Sequence, residues 1–205
     1  MTVWAPGIRA EKRTGAKAPT QNPAYRLASP LFFSSMPRNV EIKARVARPA
    51  RLLDAVIAIA DRGPTVFAQD DTFFACERGR LKLRAFSERE GQLIFYERPD
   101  TGAPKLSAYV IAPTSDPNAL REALARAVGV VGRVKKTRTL FFVGATRIHL
   151  DDVEDLGHFV ELEVVLDDDQ SLEDGSAIAR DLMTRLGIAD GDLVTHAYVD
   201  LLGAV

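Results

Sequence analysis

A chain of 205 residues suits one domain, and 46% apolar with 27% charged residues gives it a core while arguing against disorder over most of its length. Basic residues number 27 and acidic ones 28, a formal charge of −1, so no global field draws the protein to nucleic acid or to an anionic membrane, and any anion site must come from local clustering. Cys76 is the single cysteine, which excludes an internal disulfide and a cysteine-based zinc site, and no apolar run approaches the ~20 residues that a membrane-spanning helix needs.

Residues 1–35 set Arg9, Lys12, Arg13, Lys17 and Arg26 against Glu11 and show no steady period, so this stretch reads as a disordered basic leader, or as an upstream extension with Met36 the true start. It lacks the amphipathic helix that would support organelle targeting, and the protein is expected in the cytoplasm. One catalytic domain, residues 36–205, is expected to follow. In 39–46 the apolar residues fall at even positions and the polar ones at odd positions, a two-faced strand. Leu52, Leu53, Val56, Ile57 and Ala60 make a helical stripe that ends at Gly63-Pro64. Short β-like runs follow at 72–75, 80–86, 92–97 and 106–111, with a hairpin turn expected at Glu90-Gly91. Asp116-Pro117 caps a second helix that carries Leu120, Ala123, Leu124, Ala127 and Val128 to Gly129. Strand signals at 135–143 and 146–150 flank a turn at Gly144-Ala145, and another covers 159–166. A third helix starts near Ser171, presents Ile178, Ala179, Leu182, Met183 and Leu186, and stops at Gly187, and a last β-like run covers 196–202. The pattern is an α+β domain with antiparallel pairing.

Alternation puts Asn39, Glu41, Lys43 and Arg45 on one strand face, and likewise Arg80, Lys82 and Arg84, then Lys136 and Arg138, then Arg147, His149 and Asp151, then Glu161 and Glu163. In an open sheet these charges would face water. In a closed sheet they would share one interior, where acids and bases are tolerable if a divalent cation and a polyanion compensate them. Hard oxygen donors such as Glu41, Glu161 and Glu163 suit Mg²⁺ or Mn²⁺. His149, His158 and His196 show no metal-ligand spacing, and each reads as a surface or hydrogen-bonded histidine.

At these residues the chain resembles the CYTH superfamily, the triphosphate tunnel metalloenzymes, and within it the class IV adenylyl cyclases, from Arg38 to about Leu202. The family's opening ExExK strand is matched by Asn39-Val40-Glu41-Ile42-Lys43, with Asn39 in place of the first glutamate. The basic strand 81–84, Lys105, the pair Lys136 and Arg138, and above all the segment 150–163 complete the match. The resemblance implies a closed antiparallel β-tunnel of about eight strands with helices packed outside. It assigns metal to Glu41, Asp151, Glu161 and Glu163, and phosphate to Lys43, Lys82, Arg84, Lys105, Lys136, Arg138 and Arg147, with Arg45 joining them from its strand face. Lys43, Lys105 and Arg138 are the expected catalytic residues. The implied reaction turns ATP into cyclic AMP and pyrophosphate with Mg²⁺ or Mn²⁺. The alternatives are hydrolysis of tripolyphosphate, thiamine triphosphate or nucleoside triphosphates, and non-catalytic binding of nucleotide or polyphosphate. The expected partner is a small triphosphate, ATP or polyphosphate, with neither nucleic acid nor membrane, and a homodimer is compatible with the sequence.

Overall fold

The alternating first strand, β1 (Arg38–Arg45), pairs in antiparallel register with β8 (Gly157–Leu166), Lys43 opposite Glu161 and Glu41 opposite Glu163. The computed structural model describes residues 38–97 and 108–203, so the expected leader and Lys105 lie outside it. The other strands are β2 (Arg62–Phe74), β3 (Arg80–Ser87), β4 (Glu90–Glu97), β5 (Ala108–Thr114), β6 (Val130–Val143) and β7 (Thr146–Val153). All neighbours are antiparallel, in the spatial order β1-β8-β7-β6-β2-β3-β4-β5. The α+β class and the eight strands are as expected. Among the described residues no ladder joins β1 to β5, so closure comes from curvature and not from a continuous ring of backbone bonds.

Four helices accompany the sheet: α1 (Pro49–Ile59), α2 (Pro117–Val128), α3 (Leu172–Leu186) and α4 (Tyr198–Gly203). Asp116 accepts from the Ala119 N–H at 3.0 Å to start α2. Ser171 and Asp174 form a reciprocal capping box that starts α3, and Gly187, at φ 68°, ends it. The apolar stripes of α1 and α3 cover the even-numbered face of β1 and its neighbours, burying Leu52, Val56, Ile148, Leu150, Leu162 and Leu182 in the main core. Each such side chain contributes about 1.5–3 kcal/mol by leaving water. The charged, odd-numbered face of β1 therefore looks the other way. Among the described residues no helix is long and apolar enough to cross a membrane.

The fourth helix corrects the expectation of a strand at 196–202. Its first turn closes on Ala197, whose N–H is accepted by Asp200 at 3.1 Å and whose carbonyl accepts from the N–H groups of Asp200 and Leu201. Helix α4 sits on the inner side of the sheet, where Tyr198 and Val199 pack with Phe73, Val134, Val153 and Phe159. Lys43 of β1 and Lys136 of β6 stand 4.3 and 4.9 Å from the Tyr198 ring, while Arg80 of β3 holds Asp200 at 2.9 Å. Strands β1 and β3 lie five steps apart in the sheet, about 24 Å if it were flat, and a six-residue helix is only about 9 Å long. The sheet must curl around α4. Two smaller corrections concern β2, which begins at Arg62 and not at residue 72, and the β3–β4 turn, which falls at Glu88-Arg89, two residues earlier than expected.

Candidate active site

Strand register delivers the acids and bases to one inner wall. Asp151 is wholly buried: its Oδ1 accepts from Arg138 Nε at 2.6 Å, and its Oδ2 accepts from Lys136 Nζ at 2.8 Å, Arg138 Nη2 at 2.6 Å and the Tyr198 hydroxyl at 3.0 Å. Glu161 accepts from Arg138 and lies 3.3 Å from Lys43 Nζ. Asp71 on β2 accepts from Lys82 at 2.9 Å and from both Nε and Nη2 of Arg84 at 2.7 Å. Each of these acids bridges two cations, which is how charges survive out of water.

The electrostatics follow from that bridging. Burial pushes the Asp151 carboxyl up, but Arg138 and Lys136 outweigh it and bring the group down to about 2. Burial acts the same way on Asp71 and Glu161, and their basic neighbours again hold both well below the carboxylate range. Lys82 comes down to about 8 through burial and the neighbouring Arg84 charge, and Lys136 is lowered through burial and Arg138. His149 is buried 3.8 Å from Glu161, and burial with the Arg138 charge lowers it, which keeps the imidazole neutral. Burial drives the Tyr198 phenol well above 10, so it stays a hydroxyl donor.

The expected residues divide into three groups. Lys43, Lys82, Arg84, Lys136, Arg138, Asp151 and Glu161 meet in this interior. Arg147 pairs with Glu163 at 3.0 Å, and Asn39 donates its Nδ2–H to Glu163 at 2.6 Å. Glu41, exposed, stands directly across the ladder from Glu163. Arg45 stays apart at the rim, exposed, with its guanidinium 5.0 Å from the Phe159 ring. Asp71, Tyr198 and His149 belong to the interior although the sequence reading gave them no role. Asp71 is marked by alternation with Phe73 once β2 is extended backward, and Tyr198 by no local signal, since it reaches the site only through the curl. An open groove of about 1020 Å³ lies mainly on the opposite, outer side. Its outer charges pair among themselves, Asp70 with Arg121 and Arg133, and Lys135 with Glu154, while Gln69, Phe86 and Lys136 border it from the inner wall.

An antiparallel sheet curled around α4 and a buried lattice of acids and bases, with α1 to α3 outside, defines a β-tunnel, and the inner position of α4 corrects the expectation that all helices pack outside. Residues 37–198 match the CYTH domain, and the chain belongs to the CYTH family, whose members bind triphosphates such as ATP and use divalent metal ions. Over 65 residues it is 37% identical to adenylate cyclase CyaB of Aeromonas hydrophila, a stretch that is 32% of this chain and spans only 34% of that relative. The solved PH1012 protein of Pyrococcus horikoshii superposes with a TM-score of 0.71 at 23% identity, over 80% of this chain and 98% of its own. HpAC1 from Hippeastrum, described as having a dominant triphosphatase activity, gives 0.61 at 15% identity, over 81% of this chain and 95% of its own. At these identities the solved structures bear on the fold alone.

Proposed function

We propose that the chain is a metal-dependent enzyme that binds a triphosphate on the inner wall and converts ATP to cyclic AMP and pyrophosphate. The carrying observation is an excess of cations. Lys43, Lys82, Arg84, Lys136 and Arg138 share the interior with Asp71, Asp151 and Glu161, a surplus of two positive charges among the described residues. The Arg80–Asp200 and Arg147–Glu163 pairs around it are neutral. Enclosing uncompensated charge is costly, and a bound polyanion removes the cost.

The metal assignment rests on Glu41 and Glu163. The two carboxylates stand directly opposite in the ladder, and a divalent cation held by them would add to the compensation that Arg147 already gives Glu163. Among the described residues no three His, Cys, Asp or Glu side chains gather closely enough to encage an ion. An ion here would therefore rest on one or two carboxylates, with water and phosphate completing its shell, a mode of binding that Mg²⁺ or Mn²⁺ accepts. Such an ion would draw charge from the phosphate oxygens. Glu161 stands next to this pair on the same strand face, whereas Asp151, with both oxygens engaged by cations, positions Lys136 and Arg138. Lys43 and Arg138 neutralise the charge that develops on the reacting phosphate, and Lys82, Arg84 and Lys136 hold the rest of the chain. In the reaction the ribose 3′-oxygen bonds to the α-phosphorus, the bond from that phosphorus to the bridging oxygen breaks, pyrophosphate leaves, and the hydroxyl proton passes to solvent.

A second reading is hydrolysis with water attacking a terminal phosphorus, the kind of activity described as dominant for HpAC1, which shares the fold. Product analysis separates the two. ATP and tripolyphosphate are each supplied with Mg²⁺ or Mn²⁺ and scored for cyclic AMP, pyrophosphate and orthophosphate. Cyclic AMP with pyrophosphate from ATP supports the first reading, and orthophosphate without cyclic AMP, released with ADP from ATP or with pyrophosphate from tripolyphosphate, supports the second. Glu41→Ala and Glu163→Ala are each expected to lower turnover at least ~100-fold. No turnover of either substrate leaves only a binding protein, and unchanged activity in both variants removes the metal assignment.

A further inference from the structure

We infer that Gln69 and the Phe67–Phe86 pair form a subsite for the base of a nucleoside triphosphate, with the Gln69 amide reading an adenine edge. The inference rests on the triphosphate reading above and adds which organic group the triphosphate carries. Alternation along β2 puts Phe67, Gln69 and Asp71 on one face, and Asp71 fixes that face as the inner one because it holds Lys82 and Arg84. Across the ladder Phe67 pairs with Arg138 and Gln69 with Lys136, so both border the proposed phosphate binders.

Gln69 is 1% exposed, yet neither its Oε1 nor its Nε2 has a hydrogen-bond partner. Buried side-chain amides are nearly always bonded, and leucine would fill the same space without the desolvation penalty. The amide is therefore matched to a partner that comes from outside the chain. Phosphate oxygens only accept, and would leave Oε1 unsatisfied. The adenine N6–H and N7 edge offers one donor and one acceptor side by side, which a glutamine amide meets with both of its atoms, whereas guanine shows two acceptors there. Beside the amide, the half-buried Phe67 and Phe86 rings stand 6.4 Å apart at 66° and give the subsite an apolar side that suits an aromatic base better than a phosphate. Gln69 and Phe86 also border the open groove, which gives a base a direction of approach.

The test uses the full chain with Mg²⁺ and compares ATP, GTP and tripolyphosphate by kcat/KM and by calorimetric binding in wild type, Gln69→Leu and Phe67→Leu. Gln69→Leu should lower ATP affinity and kcat/KM by about tenfold to a hundredfold, shrink the preference for ATP over GTP, and move tripolyphosphate by less than about threefold. Phe67→Leu should weaken ATP and GTP together and spare tripolyphosphate. Equal effects of Gln69→Leu on ATP and tripolyphosphate, or none on either, overturn the subsite. Wild-type protein that binds tripolyphosphate but not ATP also overturns it and leaves the triphosphate reading intact. If wild type turns over neither substrate the reaction proposed above fails, and the calorimetric contrast between ATP and tripolyphosphate still decides the role of Gln69.

Discussion

Asp151 has every hydrogen-bonding direction occupied, by Lys136, by both arms of Arg138 and by Tyr198, at zero exposure. Its negative charge, rather than its shape, keeps two buried cations tolerable. Replacement by the isosteric Asn leaves Lys136 and Arg138 short of a counter-charge, and breaking a buried pair in this way costs about 3–5 kcal/mol. Urea denaturation of Asp151→Asn at neutral pH should show that loss, and a change below about 1 kcal/mol would remove Asp151 as the anchor of the wall. The pH dependence has a definite sign. Asp151 titrates near 2 in the folded chain, below its ordinary 3.8. Its stabilisation is therefore complete above about pH 4 and is lost as the pH falls toward 2. Wild type should weaken more steeply than Asp151→Asn through that window. Asp71 and Glu161, also held well below the carboxylate range by their basic neighbours, are present in both proteins and cancel from the comparison.

Among the elements, α3 shows a local preference overruled by packing. Gly175 lies inside this helix, where alanine would be favoured by about 1 kcal/mol. A Cβ there would stand 2.6 Å from Leu166 Cδ2 and 2.7 Å from Val40 Cγ2, both buried on the sheet beneath. Overpacking of that kind costs about 1–3 kcal/mol, so Gly175→Ala should destabilise, on balance by up to about 2 kcal/mol. A gain in thermal midpoint would show that α3 has room to lift. The same contest between local signal and context decided what could be read from the sequence. Helices α1 to α3 were legible because stripe, cap and terminator agree, and β1 and β8 because strict alternation survives where one face is core and the other is charged. The first half of β2 was not legible, since its residues are exposed on both faces and carry no period. Helix α4 was misread because seven residues of mixed polarity fit either period, and only the inner cluster of Phe73, Val134 and Phe159 selects the helix. For the basic residues on β3 and β6, alternation gave the shared face, and the family resemblance gave the expected phosphate role. Asp71, Tyr198 and Gln69 depended on knowing how far β2 extends and what the curled sheet encloses.

At the scale of the whole molecule, a formal charge of −1 conceals an inner wall that, among the described residues, carries a surplus of two positive charges. Global charge therefore gives no attraction to anions, and binding must be driven by the enclosed cations, where weak screening makes each interaction stronger than at the surface. A ligand that binds only the folded chain stabilises it by RT ln(1 + [L]/Kd), about 2.7 kcal/mol at a hundredfold excess over Kd. For a domain of this size that amounts to a rise of roughly 5–10 °C in thermal midpoint. Tripolyphosphate should produce such a rise in thermal melts even with metal chelated, because Lys43, Lys136 and Arg138 act without an ion, and added Mg²⁺ should enlarge it. Sulfate at equal ionic strength, with less charge to offer the same cations, should shift the midpoint less. In Lys136→Met the surplus falls by one charge and a cation next to Asp151 is lost, so the starting midpoint should drop and the shift with tripolyphosphate should shrink. Equal shifts for tripolyphosphate and sulfate, or an undiminished shift in Lys136→Met, would place the anion on the outside of the molecule and leave the enclosed cations as structure alone.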